Sequence, residues 1–230
     1  MLYIVKTNDK RHYHLYEFLK NKINTIYSNK VIPGVKKLVL PMNGIDQDGY
    51  IYGTFLKLED FYNFDVVEEI YTGYKNKYLE HLCKIHNTKL VYFYSDINFV
   101  RKEFDIEEAI IKSFLEEKLS TTFKELNVVV IGSSYTAYLM SLKLKCDLIK
   151  SKVITTEELS KYDAIIHFDS VGLSNDYKKI MIDMNDGECL DFYFLYNVKE
   201  LYFMKQLLTQ YMTKSSAKIM YDCMCLNDSI

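Results

Sequence analysis

The first hundred residues alternate between short apolar runs and segments in which apolar residues recur every three or four positions. The segments at residues 12–26 and 75–86 predict amphipathic helices. Strands that alternate with helices are typical of a parallel sheet with helices on both faces, so this part predicts a doubly wound α/β domain. The apolar runs, each a predicted strand, are residues 2–5, 37–41, 66–71 and 89–94.

A second α/β pattern follows a helix predicted at residues 106–120, with Asp105 as its N-cap. It opens with residues 127–131 (NVVVI), a continuous β-branched run typical of a strand buried on both faces of a parallel sheet. Residues 198–212 have apolar positions at helical spacing and predict a terminal helix that packs back onto the first domain. Further strands are predicted at residues 147–149, 164–168 and 180–184, and further helices from about residue 138 to 145 and at 156–161.

These patterns divide the chain into three predicted parts. Residues 1–122 form an α/β domain that includes the linking helix, and residues 123–200 form a second α/β domain. Residues 201–230 form the C-terminal helix and tail. The predicted fold class is therefore α/β, with two doubly wound domains, a linking helix and a C-terminal helix.

Charge and composition narrow the function classes. Lys and Arg number 29 against 31 Asp and Glu, so no excess of positive charge predicts binding to nucleic acid or to an anionic membrane. No apolar run reaches the roughly 18 to 20 residues that span a bilayer, and the chain begins with LYIV rather than a basic leader, so we expect a cytoplasmic protein. The odd number of cysteines without paired zinc spacing predicts reduced thiols and no metal site. The cysteines are Cys83, Cys146, Cys189, Cys223 and Cys225.

The segment after the strand at residues 127–131 reads GSSYTA and is similar to the glycine-rich turn that holds a dinucleotide pyrophosphate. Such a turn uses G-x-G-x-x-G, in which the second glycine lets the backbone approach the phosphates. Here Gly132 keeps the first position, Ser134 replaces the second, and Ala137 takes the third. The match predicts a Rossmann-like domain, and it leaves open a working site or a structural relic of the turn. The predicted cofactor-binding residues are Gly132, Ser133, Ser134, Tyr135, Thr136 and Ala137.

The tip of the next predicted strand indicates which nucleotide would bind. An acidic residue at this tip would take the ribose hydroxyl of NAD, and none is present. Lys150 and Lys152 lie there instead and suit a 2′-phosphate. We therefore predict NADP rather than NAD if either binds.

Histidines supply the candidate proton-transfer groups. His167 ends a predicted strand on the side expected to face the nicotinamide, and it is the candidate catalytic residue. His12 and His14 are interpreted as surface residues at a helix start. Asp46 and Asp48 follow a strand and are interpreted first as turn formers, with a substrate loop or a bound cation as the alternatives.

Five segments along residues 37–185 carry a family resemblance through their order and spacing. The segments are KLVLPMNGIDQDGYI at 37–51, YTGYKNKYLEHLCKIHNTKLVYFYSD at 71–96, NVVVIGSSYTA at 127–137, YDAIIHFDS at 162–170 and KIMIDMN at 179–185. An additional short match, IEEAI, lies at residues 106–110. Together these segments resemble the family formed by the A subunits of bacterial dipicolinate synthase.

The resemblance implies an N-terminal flavodoxin-like domain, a Rossmann domain that binds NADPH, and a substrate cleft between them. It also implies that a second synthase subunit is a partner, and that dipicolinate is formed from a lysine-pathway intermediate during sporulation. Whether the protein forms a homo-oligomer stays open. The residues that it places along the substrate cleft are Asn43, Gly44, Gly73 and Asn76.

Several cleft segments depart from the family's pattern. Ser134 and Ala137 replace glycines, and Tyr135 stands where the family has arginine. The family's N-S-I-P-T-x-E-G segment is reduced to Glu107 alone within residues 101–108, and its N-T-I-P loop reads HFDS at 167–170. Two functions therefore stay open, an NADP-linked oxidoreductase and a catalytically inactive scaffold. An open turn at Ser134 favours the first, and a turn filled by Tyr135 favours the second.

Overall fold

The computed structural model divides the chain into two compact units. The first consists of Met1–Glu103 together with Met212–Ile230, and the second of Phe104–Tyr211. The division falls inside one long helix, Ile97–Leu119. The structure describes residues 1–63, 66–150, 153–168, 172–173, 179–184, 200–204, 207 and 213–227.

The first unit contains a parallel sheet of five strands in the order β2-β1-β3-β4-β5. This is the flavodoxin-like order, so the predicted doubly wound domain is confirmed. The strands are β1 (Leu2–Val5), β2 (Thr25–Ser28), β3 (Lys37–Val39), β4 (Glu69–Thr72) and β5 (Lys89–Tyr92). The helices are α1 (Lys10–Leu19), α2 (Leu58–Tyr62), α3 (Lys77–Ile85) and the start of α4 (Ile97–Leu119).

Local sequence explains why these elements form. All of β1 is buried, as a continuous apolar run in a parallel sheet predicts. Asp9 caps α1 by accepting from the Arg11 amide at 2.9 Å. Asn76 caps α3 by accepting from the amides at the start of that helix. The core between sheet and helices includes Tyr3, Leu38, Leu40, Ile45, Ile51, Leu58, Phe61 and Ile70.

Two sequence predictions in this region are wrong in their limits. The helix predicted at 12–26 ends at Leu19, and Thr25–Ser28 forms the edge strand β2 instead. Because β2 is only half-buried, its apolar residues do not form the continuous run that marked the inner strands. The predicted N-cap Asp105 lies within α4, where its carboxylate pairs with Lys143.

The second unit has its own parallel sheet of five strands, in the order β12-β11-β9-β6-β7. This corresponds to the Rossmann order 3-2-1-4-5-6 without its third strand. The segment β8 (Val153–Ile154), which follows β7 along the sequence, pairs with β10 (Gly172–Leu173) in a separate small sheet. The main strands are β6 (Val128–Ile131), β7 (Asp147–Ile149), β9 (Ala164–His167), β11 (Ile180–Asp183) and β12 (Glu200–Phe203), with helices α5 (Tyr135–Leu144) and α6 (Thr156–Leu159).

The helix predicted at 198–212 is wrong at its start, whereas Met204 and Leu207 within it are helical and the other residues of 205–212 lie outside the described residues. Within the predicted helix at 198–212, Glu200–Phe203 is the edge strand β12, paired with β11. A helix that packs onto the first unit is α7 (Thr213–Asn227), in the segment predicted only as a tail. Tyr221 of α7 accepts from Lys22 Nζ at 2.7 Å and lies 6.2 Å from the Phe18 ring of α1. In the described part of the protein, no helix is long and apolar enough to cross a bilayer.

Candidate nucleotide-binding site

The turn after β6 lies at the point where the strand order of the second sheet reverses. The fully buried β6 runs between β7 and β9. The Gly132 amide donates to the Ile149 carbonyl at 3.0 Å, and the Phe168 amide donates to the Ile131 carbonyl at 2.9 Å. The turn is therefore held between the carboxyl ends of its neighbours, where ligands bind in open α/β sheets.

Ser134 ends this turn as the N-cap of α5. Its φ of −70° and ψ of 157° are ordinary for a residue with a Cβ atom, and its hydroxyl accepts from the Ala137 amide at 3.2 Å. The amides of Tyr135 and Thr136 have no acceptor within the helix. These donors and the helix dipole favour an anion at this end of α5.

The side chains around the turn leave its outer side open within the second unit. Tyr135 is 73% exposed, and its ring centroid is 6.3 Å from that of Tyr138, one turn along α5. Ser133 and Thr136 are also exposed, whereas Ala137 is completely buried. Tyr135 therefore extends into solvent rather than filling the turn.

Lys150 follows β7 directly and lies beside the turn, because its neighbour Ile149 accepts the Gly132 amide. Its Nζ is 5.5 Å from the centroid of the Tyr138 ring. Lys150 is exposed and forms no ion pair with any residue that the structure describes. A phosphate next to the turn would meet this positive charge. The other predicted lysine, Lys152, lies outside the described residues.

His167 and Asp183 form a buried pair at the carboxyl ends of β9 and β11. The parallel register places them side by side, and His167 Nδ1 lies 3.2 Å from Asp183 Oδ1. Both side chains are 0% exposed, and His167 Nε2 has no hydrogen-bond partner among the described residues. An ionised carboxylate only accepts, so Nδ1 carries the proton and Nε2 is the free acceptor. Sequence reasoning missed Asp183, whose signal was an acid at the end of the buried run IMID.

The predicted cleft residues of the first unit come together at the carboxyl edge of its sheet. Asn76 Nδ2 donates to the Ile45 carbonyl at 2.5 Å and to the Asn43 carbonyl at 3.2 Å. Gly44 has a φ of +71°, which favours glycine. At Gly73 a Cβ atom would lie 2.6 Å from Met42 Sδ and 2.9 Å from Met42 Cα. These residues join the β3 and β4 loops to each other, and a role toward substrate stays a prediction.

Other candidate residues of the first unit have internal roles. The prediction of His12 as a surface residue is wrong: its side chain is 0% exposed, and Nδ1 lies 2.8 Å from the Val5 carbonyl. Burial lowers the pKa of His12 and favours its neutral form. Asp46 accepts from the amides of Asp48 and Tyr50, both at 2.9 Å, as a turn former does.

Comparison with known proteins shows the fold. No protein-family model matches the sequence, and no curated protein matches it. The A subunit of dipicolinate synthase from Bacillus halodurans is similar at 13% identity with a TM-score of 0.67, over 98% of this protein and 97% of that protein. Its counterpart from Bacillus subtilis is similar at 13% identity with a TM-score of 0.66, over 98% of this protein and 94% of that protein. An NADPH-dependent glyoxylate/hydroxypyruvate reductase from Sinorhizobium meliloti is similar at 9% identity with a TM-score of 0.51, over 99% of this protein and 94% of that protein.

The protein therefore has the Rossmann-type fold found in dehydrogenase-type proteins. More particularly, it has the fold of the dipicolinate synthase A subunits, matched along nearly the whole length of both proteins. The resemblance predicted from residues 37–185 is confirmed at the level of fold.

Proposed function

We propose that the protein is an NADP-linked oxidoreductase of the dipicolinate synthase A type, acting on a lysine-pathway intermediate of the dihydrodipicolinate type during sporulation. The observation that carries this proposal is the open start of α5 beside a lysine-tipped strand. Tyr135 extends into solvent there, and Lys150 forms no ion pair with a described residue. A helix start with an adjacent cation is a general way to hold a phosphate.

In this proposal the residues of the turn have separate tasks. The amides of Tyr135 and Thr136 donate to the pyrophosphate, and Lys150 lies close enough to the turn to meet a 2′-phosphate. The oxidised nucleotide, NADP⁺, would accept the hydride when it is bound, while the protein supplies binding and orientation. The residues present fit this group, with Ser134 as the point of competition, because its hydroxyl already accepts the Ala137 amide.

His167 is proposed to accept at Nε2 the proton that the substrate would lose together with a hydride, because forming dipicolinate from a dihydrodipicolinate-type substrate is an oxidation. Asp183, 3.2 Å from Nδ1, fixes the orientation of the ring and the position of its other proton. Asp183 therefore acts through His167 as a positioning residue.

A catalytically inactive scaffold is the second candidate, and one observation favours it. Ser134 satisfies the Ala137 amide from within the protein, so this part of the helix start is complete without a ligand. In this case the protein would keep a surface for a second synthase subunit or for another copy of itself.

Titration of the purified protein with NADPH and NADH by calorimetry tests the two candidates. The oxidoreductase proposal expects saturable NADPH binding in the micromolar range and weaker NADH binding. Ser134→Trp should abolish binding, because the indole would cover the open amides. Ser113→Trp is the matched control, since Ser113 is exposed on α4, and it should bind as the parent does. No binding of either nucleotide at millimolar concentration would exclude the oxidoreductase and leave the scaffold.

A further inference from the structure

The first unit contains a carboxyl group buried without an adequate partner. The Glu103 side chain on α4 is 3% exposed, and neither of its oxygens is in hydrogen-bonding geometry with a described donor. Buried polar groups are nearly always paired, and an unpaired buried charge is strongly disfavoured. The ionised form of Glu103 is therefore disfavoured at this position.

The cation near Glu103 is already committed to another acid. Arg11 on α1 holds Asp9 in a bidentate pair, with Nε 3.0 Å from Oδ1 and Nη2 2.7 Å from Oδ2. Asp9 also repels a negative charge on Glu103. The effective positive charge that Arg11 offers to Glu103 is therefore small.

The other described groups that act on Glu103 include no further cation. Tyr94, which follows β5, interacts with Glu103, and burial raises the pKa of its phenol, so it stays neutral. Ser216 on α7 is 2% exposed and presents only a hydroxyl. His12, whose pKa burial lowers, is neutral. Burial raises the pKa of Glu103, with Asp9 adding to the effect and Arg11 and Ser216 opposing it.

The C-terminal helix α7 is attached over this same region. Its buried side chains include Ser216, Ala217 and Met220. Its charged contact to α4, from Lys102 Nζ to Asp222 Oδ2 at 3.4 Å, is partly exposed, and Asp222 is shared with Lys218. Exposed pairs of this kind stabilise little. Attachment of α7 therefore depends on its buried face, next to Glu103.

We propose that the Glu103 carboxyl is protonated and neutral where α1, α4 and α7 meet, and that its ionisation loosens the attachment of Thr213–Asn227 to the first unit. The folded protein then favours the protonated form relative to the unfolded state. The stabilisation of the folded state by protonated Glu103 is complete below the pKa of a glutamate in the unfolded protein. It is lost as pH rises through the pKa of Glu103 in the folded protein. Attachment of α7 should thus weaken toward higher pH.

Hydrogen exchange of the α7 amides across a pH series, corrected for intrinsic rates, tests the proposal in the full-length protein. The protection of residues 213–227 should fall by up to about tenfold per pH unit, the limit for loss of one proton. Glu103→Gln should remove this dependence, because a neutral amide replaces the acid. Glu117→Gln, at an exposed position of the same helix, should keep it. Equal pH dependence in the parent and Glu103→Gln would overturn the proposal.

An infrared measurement provides a second readout that does not need a change in α7. A buried protonated carboxyl should give a C=O stretch at neutral pH that disappears as the pH rises. The band should be absent in Glu103→Gln, or shifted in Glu103→Asp if the glutamine variant does not fold. Absence of the band from the parent protein at neutral pH would show that Glu103 is ionised and would refute the proposal.

Discussion

The carboxyl edges of the two sheets use their polar groups in different ways. At the first edge, the side-chain oxygen of Asn76 accepts from the amides at the start of α3, and its side-chain nitrogen donates to the carbonyls of Ile45 and Asn43. At the second edge, the amides of Tyr135 and Thr136 have no acceptor within their helix, and His167 Nε2 has no described partner. Among the described residues, the first edge uses its polar groups within its own loops, whereas the second has donors and an acceptor that are not used.

A glycine or an amide in a loop after a strand can therefore serve the fold, whether or not it also contacts a ligand. Gly73 is explained by its approach to Met42, and Asn76 by the loops it joins. Variants at the first edge should therefore change stability and leave nucleotide binding unchanged. Variants at the turn of the second edge should change nucleotide binding, with small effects on stability.

The largest expected effect is that of Asp183→Ala, which breaks the buried pair with His167. Loss of the acceptor leaves the Nδ1 proton buried without a partner, and we expect a loss of about 3 kcal/mol in the free energy of unfolding. Urea denaturation measures this. Asp105→Ala is the control, because the Asp105 carboxylate is 52% exposed beside Lys143, and it should cost less than about 1 kcal/mol. Equal losses in both variants would contradict the buried pair.

Asn76 at the first edge should give the next largest change. Asn76→Ala removes the N-cap of α3 and the donor to the Ile45 carbonyl, and we expect a loss of about 2 kcal/mol. Asn76→Asp retains the capping oxygen and loses only the donor, so its loss should be smaller. NADPH affinity should be unchanged in both variants. A drop in affinity would place Asn76 in a binding role and end the contrast between the edges.

Lys150 tests the second edge directly. Lys150→Ala should weaken NADPH binding by about tenfold, equivalent to about 1.4 kcal/mol, because a charge-assisted contact with the 2′-phosphate is lost. NADH binding should change little, and calorimetry with both nucleotides measures the ratio. Lys145→Ala, at the other end of α5, is the control and should leave the ratio as it is. Equal weakening of NADPH binding and NADH binding in Lys150→Ala would show that Lys150 does not contact the 2′-phosphate.

The sequence predicted the elements whose signal is local. The runs at β1 and β6 are buried throughout, so their apolar residues are continuous in the sequence. The edge strands β2 and β12 are only half-buried, and their patterns were interpreted as helix. His167 could be proposed from its strand end, but Asp183 could not be assigned to it. Their pairing depends on the register of β9 and β11, which joins residues far apart in the sequence.

Ser134 gives the smallest change in stability and the sharpest comparison between a closed and an open turn. Ser134→Ala removes the cap on Ala137 and should cost about 1 kcal/mol, whereas Ser134→Gly should cost roughly a few tenths. Both variants free the Ala137 amide, but only glycine also removes the Cβ atom that limits approach of the pyrophosphate. NADPH affinity should therefore rise severalfold in Ser134→Gly and less in Ser134→Ala, while stability falls. If the two variants lose stability as expected and neither changes NADPH affinity, the hydroxyl serves only to cap α5, and the pyrophosphate does not approach this turn.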